Sequence, residues 1–226
     1  MLKQGTDINI KIDDITINYN DLGEGKLPII FIHGFPFDKS SWQPQLDYLQ
    51  QYDRIITYDL RGYGKSTLNQ EKISITMLAD DLIKFMDALQ IQKAIVCGLS
   101  MGGYILLNAL NRYPKRFAAI ILSDTQCIAD TPEAKEKRYK NIELLESGGL
   151  SEFTENMIKN LFYTESFTTK KETVASLKKV MLSTSADVIA ETLRALANRE
   201  EMCYTLENIT LPTLIITGRE DKAVPP

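Results

Sequence analysis

The residues Gly98-Leu99-Ser100-Met101-Gly102 set a hydroxyl between two glycines, at the point where the apolar run AIVCG gives way to the apolar stretch GYILLNALNRY. A serine hydroxyl is a weak nucleophile on its own. Held exposed on a sharp strand-to-helix turn, near the positive end of a helix, it is placed to attack a carbonyl carbon. Both glycines are physically required, because side chains there would strike the neighbouring strand and helix. Such an attack builds an oxyanion that preorganised N–H groups must meet. Met101, the residue after the serine, offers one N–H, and a second strand-end loop must offer the other; IIFIHGFPFD is that loop. A glycine-rich turn with an incidental serine is the competing reading, and it leaves the flanking strand and helix unexplained.

These groups need a scaffold, and the hydrophobic periodicity predicts one. Ile8, Ile10 and Ile12 alternate with polar residues, Asp13-Asp14 form a turn, and Ile15, Ile17 and Tyr19 resume the alternation, which predicts a two-stranded meander with one wet face. PIIFIH, RIITYD, AIVCG, FAAIIL and TLIIT are unbroken apolar runs, as in parallel strands covered by helices on both faces. Ser40 or Ser41 is the expected cap of a helix burying Trp42, Leu46 and Leu49. A second helix carries Leu78, Leu82, Phe85, Met86 and Leu89 on one face, with Asp80, Asp81, Lys84 and Asp87 opposite. Strands alternating with helices predict an α/β fold with a mostly parallel, doubly wound sheet. From 126 to 207 no strand-like run appears. Pro132 and Glu133 suit a helix start, Ser147-Gly148-Gly149 a stop, and Val174, Leu177, Val180 and Met181, then Ile189, Leu193 and Leu196, mark further apolar faces. The expected organisation is a core over 1–125, an inserted helical cap over 126–207, and a return to the core over 208–226.

Composition bounds the function. The chain has 226 residues, 44% hydrophobic and 25% charged, with a net charge of −4. That balance offers no basic field for a phosphate backbone, so nucleic acid is not an expected partner and a small neutral or apolar molecule is. Runs such as IIFI fall far short of the roughly 18 apolar residues a membrane span needs, and the polar start MLKQGTD lacks a signal-peptide core. A cytoplasmic location is expected. Cys97, Cys127 and Cys203 are odd in number and widely spaced, and read as reduced thiols, with Cys97 a buried small hydrophobe. RGYGKST ends like a phosphate-binding loop, but Asp59 stands where that motif needs glycine, and GLSMGG has Ser100 at the second glycine of a dinucleotide motif.

Taken together, IIFIHGFPFDKSSW, IITYDLRGYGKS, VCGLSMGGYILLNALNRYP, AIILSDTQ and PTLIITGREDKAVPP resemble the α/β-hydrolase superfamily in order and spacing, within it the cofactor-free esterase, 3-oxoadipate enol-lactonase-like and perhydrolase group. The resemblance implies an α/β-hydrolase fold and cleavage of a carboxylic ester or lactone through an acyl-serine intermediate, with no metal or cofactor. It makes Ser100 the nucleophile and the N–H groups of Phe35 and Met101 the oxyanion hole. Asp221 becomes the triad acid, with Asp124, at the end of FAAIILSD, as the alternative. Asp59 and Arg61 tie down their own loop. Substrate contacts are expected from Phe35, Phe37 and Met101, and from the cap residues Phe153, Met157, Leu161 and Phe162, each of which could equally pack the cap itself.

The family pattern also needs an imidazole base, and the sequence has one histidine, His33. By resemblance, His33 steadies the oxyanion loop. Lys222, with an ordinary pKa of about 10.4, would stay protonated. The expected base therefore lies after one further helix and strand, and the chain is expected to be a fragment of a longer protein; a natural truncation or a complementing second polypeptide are the alternatives. A bare last strand would then favour self-association through the sheet edge. Other readings kept open are a perhydrolase or haloperoxidase-like enzyme, a carbon-carbon bond hydrolase, an inactive remnant, and a non-enzymatic ligand-sensing protein on the same fold. Serine at the elbow argues against chemistry that forms a carboxylate ester intermediate.

Overall fold

A computed structural model describes residues 4–70, 72–221 and 223–224. Strands β1 (Gly5–Ile12) and β2 (Ile15–Leu22) form the antiparallel meander, with Ile8 opposite Tyr19 and Ile12 opposite Ile15. Asp13 turns the chain at φ 47°. The apolar runs form β3 (Ile29–Ile32), β4 (Ile55–Tyr58), β5 (Ala94–Leu99), β6 (Phe117–Ser123) and β7 (Thr213–Ile216). The sheet order is β1-β2-β4-β3-β5-β6-β7. β2 meets β4 antiparallel, and every later pairing is parallel.

Strand alternation explains why these runs lack polar residues. Ile30, Ile32, Ile56 and Val96 enter the main core on one face of the sheet, while Phe31, Ile55 and Cys97 join Trp42 and Leu46 in a second cluster on the other. Cys97 is the buried small hydrophobe expected of it, and burial pushes its thiol up to about 12. Helix α1 (Gln43–Leu49) covers the second cluster. Its lead-in turn is capped by Asp38, whose carboxylate accepts from the Ser40 N–H, so neither Ser40 nor Ser41 is the cap. Helix α2 (Ile75–Ala88), capped by Ser74, buries the expected apolar stripe. Asp81 departs from expectation: it is 2% exposed rather than on the wet face, because Arg61 reaches it. Helix α3 (Met101–Arg112) is buried at every residue from Met101 to Leu110, as its all-round apolarity requires.

Between β6 and β7 the described chain is helical: α4 (Pro132–Glu146), α5 (Leu150–Leu161), α6 (Ser166–Thr169), α7 (Lys171–Ser183), α8 (Ala186–Ala197) and α9 (Cys203–Leu206). Gly148, at φ 88°, follows α4 where Ser147-Gly148-Gly149 predicts a stop. One expectation is overturned here. Cys127 and Cys203 are joined in a disulfide, with Cα atoms 4.7 Å apart. Separated by 76 residues, the pair gives no spacing signal; the fold makes it by returning α9 beside the exit of β6, where the Met202 N–H donates to the Cys127 carbonyl at 2.7 Å. Strand β7 ends the sheet with Leu214, Ile215 and Ile216 exposed at 53%, 70% and 48%. No described helix is long and apolar enough to cross a membrane.

Candidate active site

Ser100 sits between β5 and α3 at φ 50°, ψ −111°, a backbone region that non-glycine residues rarely occupy. Hydrogen bonds on both sides hold it there. Its N–H donates to the Ser123 carbonyl at 2.9 Å, and its carbonyl accepts from the Gly103 N–H and the Thr125 hydroxyl, each at 2.8 Å. The glycine requirement is visible in space. A Cβ on Gly98 would lie 2.4 Å from the Gly102 carbonyl oxygen, and one on Gly102 would lie 2.5 Å from the Ile32 carbonyl oxygen. Gly103 has the same constraint against Thr125, at 2.2 Å, which the Gly-x-Ser-x-Gly spacing does not announce.

The loop after β3 packs against this elbow: a Cβ on Gly34 would lie 3.3 Å from the Leu99 side chain and carbonyl. The loop closes through the Phe37 N–H to the Gly34 carbonyl at 3.0 Å, the Phe35 N–H has no acceptor among the described residues, and the Phe35–Pro36 peptide is cis. Met101 begins α3, so its N–H is one of the first-turn donors that have no intrahelical acceptor. Phe35 and Phe37 are both buried. Phe153, from α5, meets Phe35 edge-to-face with ring centroids 6.4 Å apart, so one of the expected helical-segment residues does reach the loop. Phe162 instead packs its ring on Phe167, while Met157 and Leu161 are partly buried against the same core.

His33 is fully buried and bonded at both ring nitrogens. Nε2 accepts from the Leu60 N–H at 3.1 Å, which puts the proton on Nδ1, 3.0 Å from the Gly34 carbonyl oxygen. Burial lowers its pKa, and the neutral ring is locked between the exits of β3 and β4. The loop behind it is equally self-contained. The Asp59 carboxylate accepts from the Lys39 N–H, the Lys39 ammonium and the Lys65 N–H, all at 2.9 Å. A Cβ on Gly64 would lie 2.3 Å from that carboxylate, so the loop amides of RGYGKS enclose their own aspartate where a phosphate-binding loop would hold its ligand. Arg61 grips Asp81 with two nitrogens at 2.6 and 2.7 Å, and also reaches Asn69.

The two candidate acids lie side by side. Ser100, Asp124 and Asp221 follow β5, β6 and β7, adjacent parallel strands, so all three sit at the same edge of the sheet. A Cβ on Gly218 would lie 3.7 Å from both the Asp124 Oδ1 and the Asp221 Cβ. Asp221 Oδ1 accepts from the Ala223 and Val224 N–H groups at 2.7 and 3.0 Å. Asp124, at φ 40°, accepts from the Gly218 N–H at 2.7 Å. Lys222 lies outside the described residues. A cleft of about 290 Å³ between α3 and α8 is lined by Tyr104, Asn108, Gln126, Arg199 and Met202; neither Ser100 nor Asp221 lines it, so it is a separate cavity.

A strained serine between parallel strand and helix, beside an HG loop, defines a nucleophile-elbow protein. Residues 28–149 match the family described as alpha/beta hydrolase fold, and the chain belongs to that family. Among its relatives, 3-oxoadipate enol-lactonase 2 of Acinetobacter baylyi is 30% identical over 209 residues, covering 92% of this chain and 77% of that protein. Among solved structures, a malate-bound thermophilic esterase from Thermogutta terrifontis superposes with TM-score 0.91 at 32% identity, covering 97% of this chain and 82% of the other. The enol-lactonase from Burkholderia xenovorans LB400 shares the fold, with TM-score 0.89 at 24% identity over 97% of this chain and 84% of its own.

Proposed function

We propose that this chain is an ester-hydrolysing enzyme that cleaves a small carboxylic ester or lactone through an acyl-serine intermediate. The observation that carries the reading is Ser100 itself, held at φ 50° by bonds to Ser123, Gly103 and Thr125. Such strain persists only where the surroundings enforce it, and it clusters at working sites. In this reading the Ser100 hydroxyl attacks the carbonyl carbon, the N–H groups of Phe35 and Met101 hold the oxyanion, and water later releases the acyl group. Asp221 orients the imidazole that takes the serine proton. Since His33 is bonded at both nitrogens, the reading takes that imidazole from outside these 226 residues. Residues 1–125 and 208–226 act as the core and 126–207 as a cap, with Phe35, Phe37, Met101 and Phe153 lining the substrate side. The enol-lactonase and esterase relatives support the substrate class.

The test is hydrolysis of short-chain aryl esters and small lactones by the natural gene product, wild type beside Ser100→Ala. The variant is expected to lose on the order of 10⁶-fold in kcat, and a fluorophosphonate is expected to label Ser100 in the wild type alone. Turnover indifferent to Ser100 sinks the proposal.

A further inference from the structure

We infer that Asp124 is a positioning residue that holds the acid loop in register with the elbow, an inference resting on the serine-hydrolase reading with Asp221 as acid. Strand β7 has β6 as its only described neighbour, so the loop that leaves it starts from the exposed edge of the sheet. Within that loop the bonds are local. The Asp221 N–H donates to the Gly218 carbonyl at 3.0 Å, and Asp221 Oδ1 gathers the Ala223 and Val224 N–H groups. Among the described residues, one hydrogen bond ties this loop to the chain before residue 217: the Gly218 N–H to Asp124 Oδ1, at 2.7 Å.

Asp124 is built to make that bond. Its N–H donates to the Ile216 carbonyl at 2.8 Å, extending the β6–β7 ladder one residue past the strands. Its backbone then turns into the left-handed region at φ 40°, where aspartate is tolerated better than most residues. Backbone and side chain of one residue thereby grip Ile216 and Gly218, two points on either side of the β7 exit. Ser123, immediately before it, accepts from the Ser100 N–H. A chain of contacts therefore runs from the nucleophile through Ser123 and Asp124 to Gly218 and the Asp221 turn. Misplacing a triad member by about an ångström can cost on the order of 10²-fold in rate, so a single clamp at this point sets how well acid and nucleophile are aligned.

Two chemistries separate here, because a clamp needs only an acceptor oxygen whereas a triad acid needs a carboxylate. Asp124→Asn keeps Oδ1 as an acceptor for the Gly218 N–H; Asp124→Ala removes it. In the natural gene product, Asp124→Asn is expected to keep kcat/KM on aryl esters within about threefold of wild type, and Asp124→Ala to lose about 10- to 100-fold, mostly in kcat. Asp221→Asn is expected to lose on the order of 10⁴-fold. Amide exchange of a peptide spanning 214–224 gives a readout that needs no turnover: faster in Asp124→Ala, as wild type in Asp124→Asn. Asparagine failing as badly as alanine in kcat, with Asp221→Asn active, overturns the inference and makes Asp124 the acid. Unchanged loop exchange in Asp124→Ala overturns it as well. Absence of any Ser100-dependent turnover fails the hydrolase reading instead, while the exchange comparison still decides whether Asp124 is a clamp.

Discussion

Lowering the pH from about 7.5 to about 5.5 isolates one residue, because the sequence has a single histidine and carboxylates titrate below this window. His33 is buried with its Nε2 accepting from Leu60, so protonating it would both charge a dry ring and break that bond. Burial is the leading cause of its lowered pKa. In the unfolded chain the imidazole takes up a proton around pH 6.5. The unfolded state therefore binds more protons than the folded state below that point, and unfolding becomes easier as pH falls. A ring that stays neutral in the folded state makes this loss on the order of 1 kcal/mol across the window, growing with further acidification until the folded ring itself protonates. Urea titrations at the two pH values measure this difference directly. His33→Asn is the control: it is expected to cost about 1–3 kcal/mol at both values through the unpaired Leu60 N–H, and to abolish the difference between them. Equal stability of the wild type at both pH values, or a difference that survives in His33→Asn, refutes the locked neutral ring.

Gly102→Ala puts a methyl group 2.5 Å from the Ile32 carbonyl oxygen, so backbone must shift; a loss of about 1–3 kcal/mol in stability and on the order of 10²-fold in kcat is expected, and a variant with wild-type melting and kcat contradicts it. Reducing the Cys127–Cys203 bridge frees a 76-residue separation and is expected to cost about 4 kcal/mol by loop entropy, read as a shift of the urea midpoint with dithiothreitol; three titratable thiols in the untreated unfolded protein would show no bridge. The 226-residue chain is expected to self-associate through β7, and Ile215→Lys to return it to monomer in light scattering; a monomeric wild type rejects that.

The parallel sheet was legible because both of its faces are covered, so its central strands read as unbroken apolar runs. The elbow was legible because the strand-to-helix turn is a fixed local geometry in which Gly98 packs against the Gly102 carbonyl; the neighbour that crowds Gly102, Ile32 on β3, comes from the fold. What stayed hidden depends on distant partners. Asp81 sits among polar positions of α2, and its burial follows from Arg61, twenty residues earlier, reaching across to it. The disulfide had no signal because its two cysteines are brought together only by the return of α9 to the β6 exit. Asp124 reads as the alternative acid in the sequence; its bond to the Gly218 N–H, ninety-four residues away, depends on the fold and had no local signal.

The site is unequally supported, and this bears on how it can fail. Ser100 hangs from central strands, with bonds to Ser123 and Thr125 and glycine contacts too tight for a Cβ. Opening it means disturbing β3, β5 and β6 together, which approaches global unfolding. Asp221 hangs from a strand whose four residues are all exposed, on a loop anchored by Asp124. Local opening there breaks few buried contacts, so it comes at a small fraction of the global free energy. The Asp221 turn is therefore expected to open first on mild destabilisation, while the Ser100 turn and the loop after β3 keep their geometry. Any element that covers β7 acts on the same weak point, because burying Leu214, Ile215 and Ile216 stabilises the strand from which the acid loop departs.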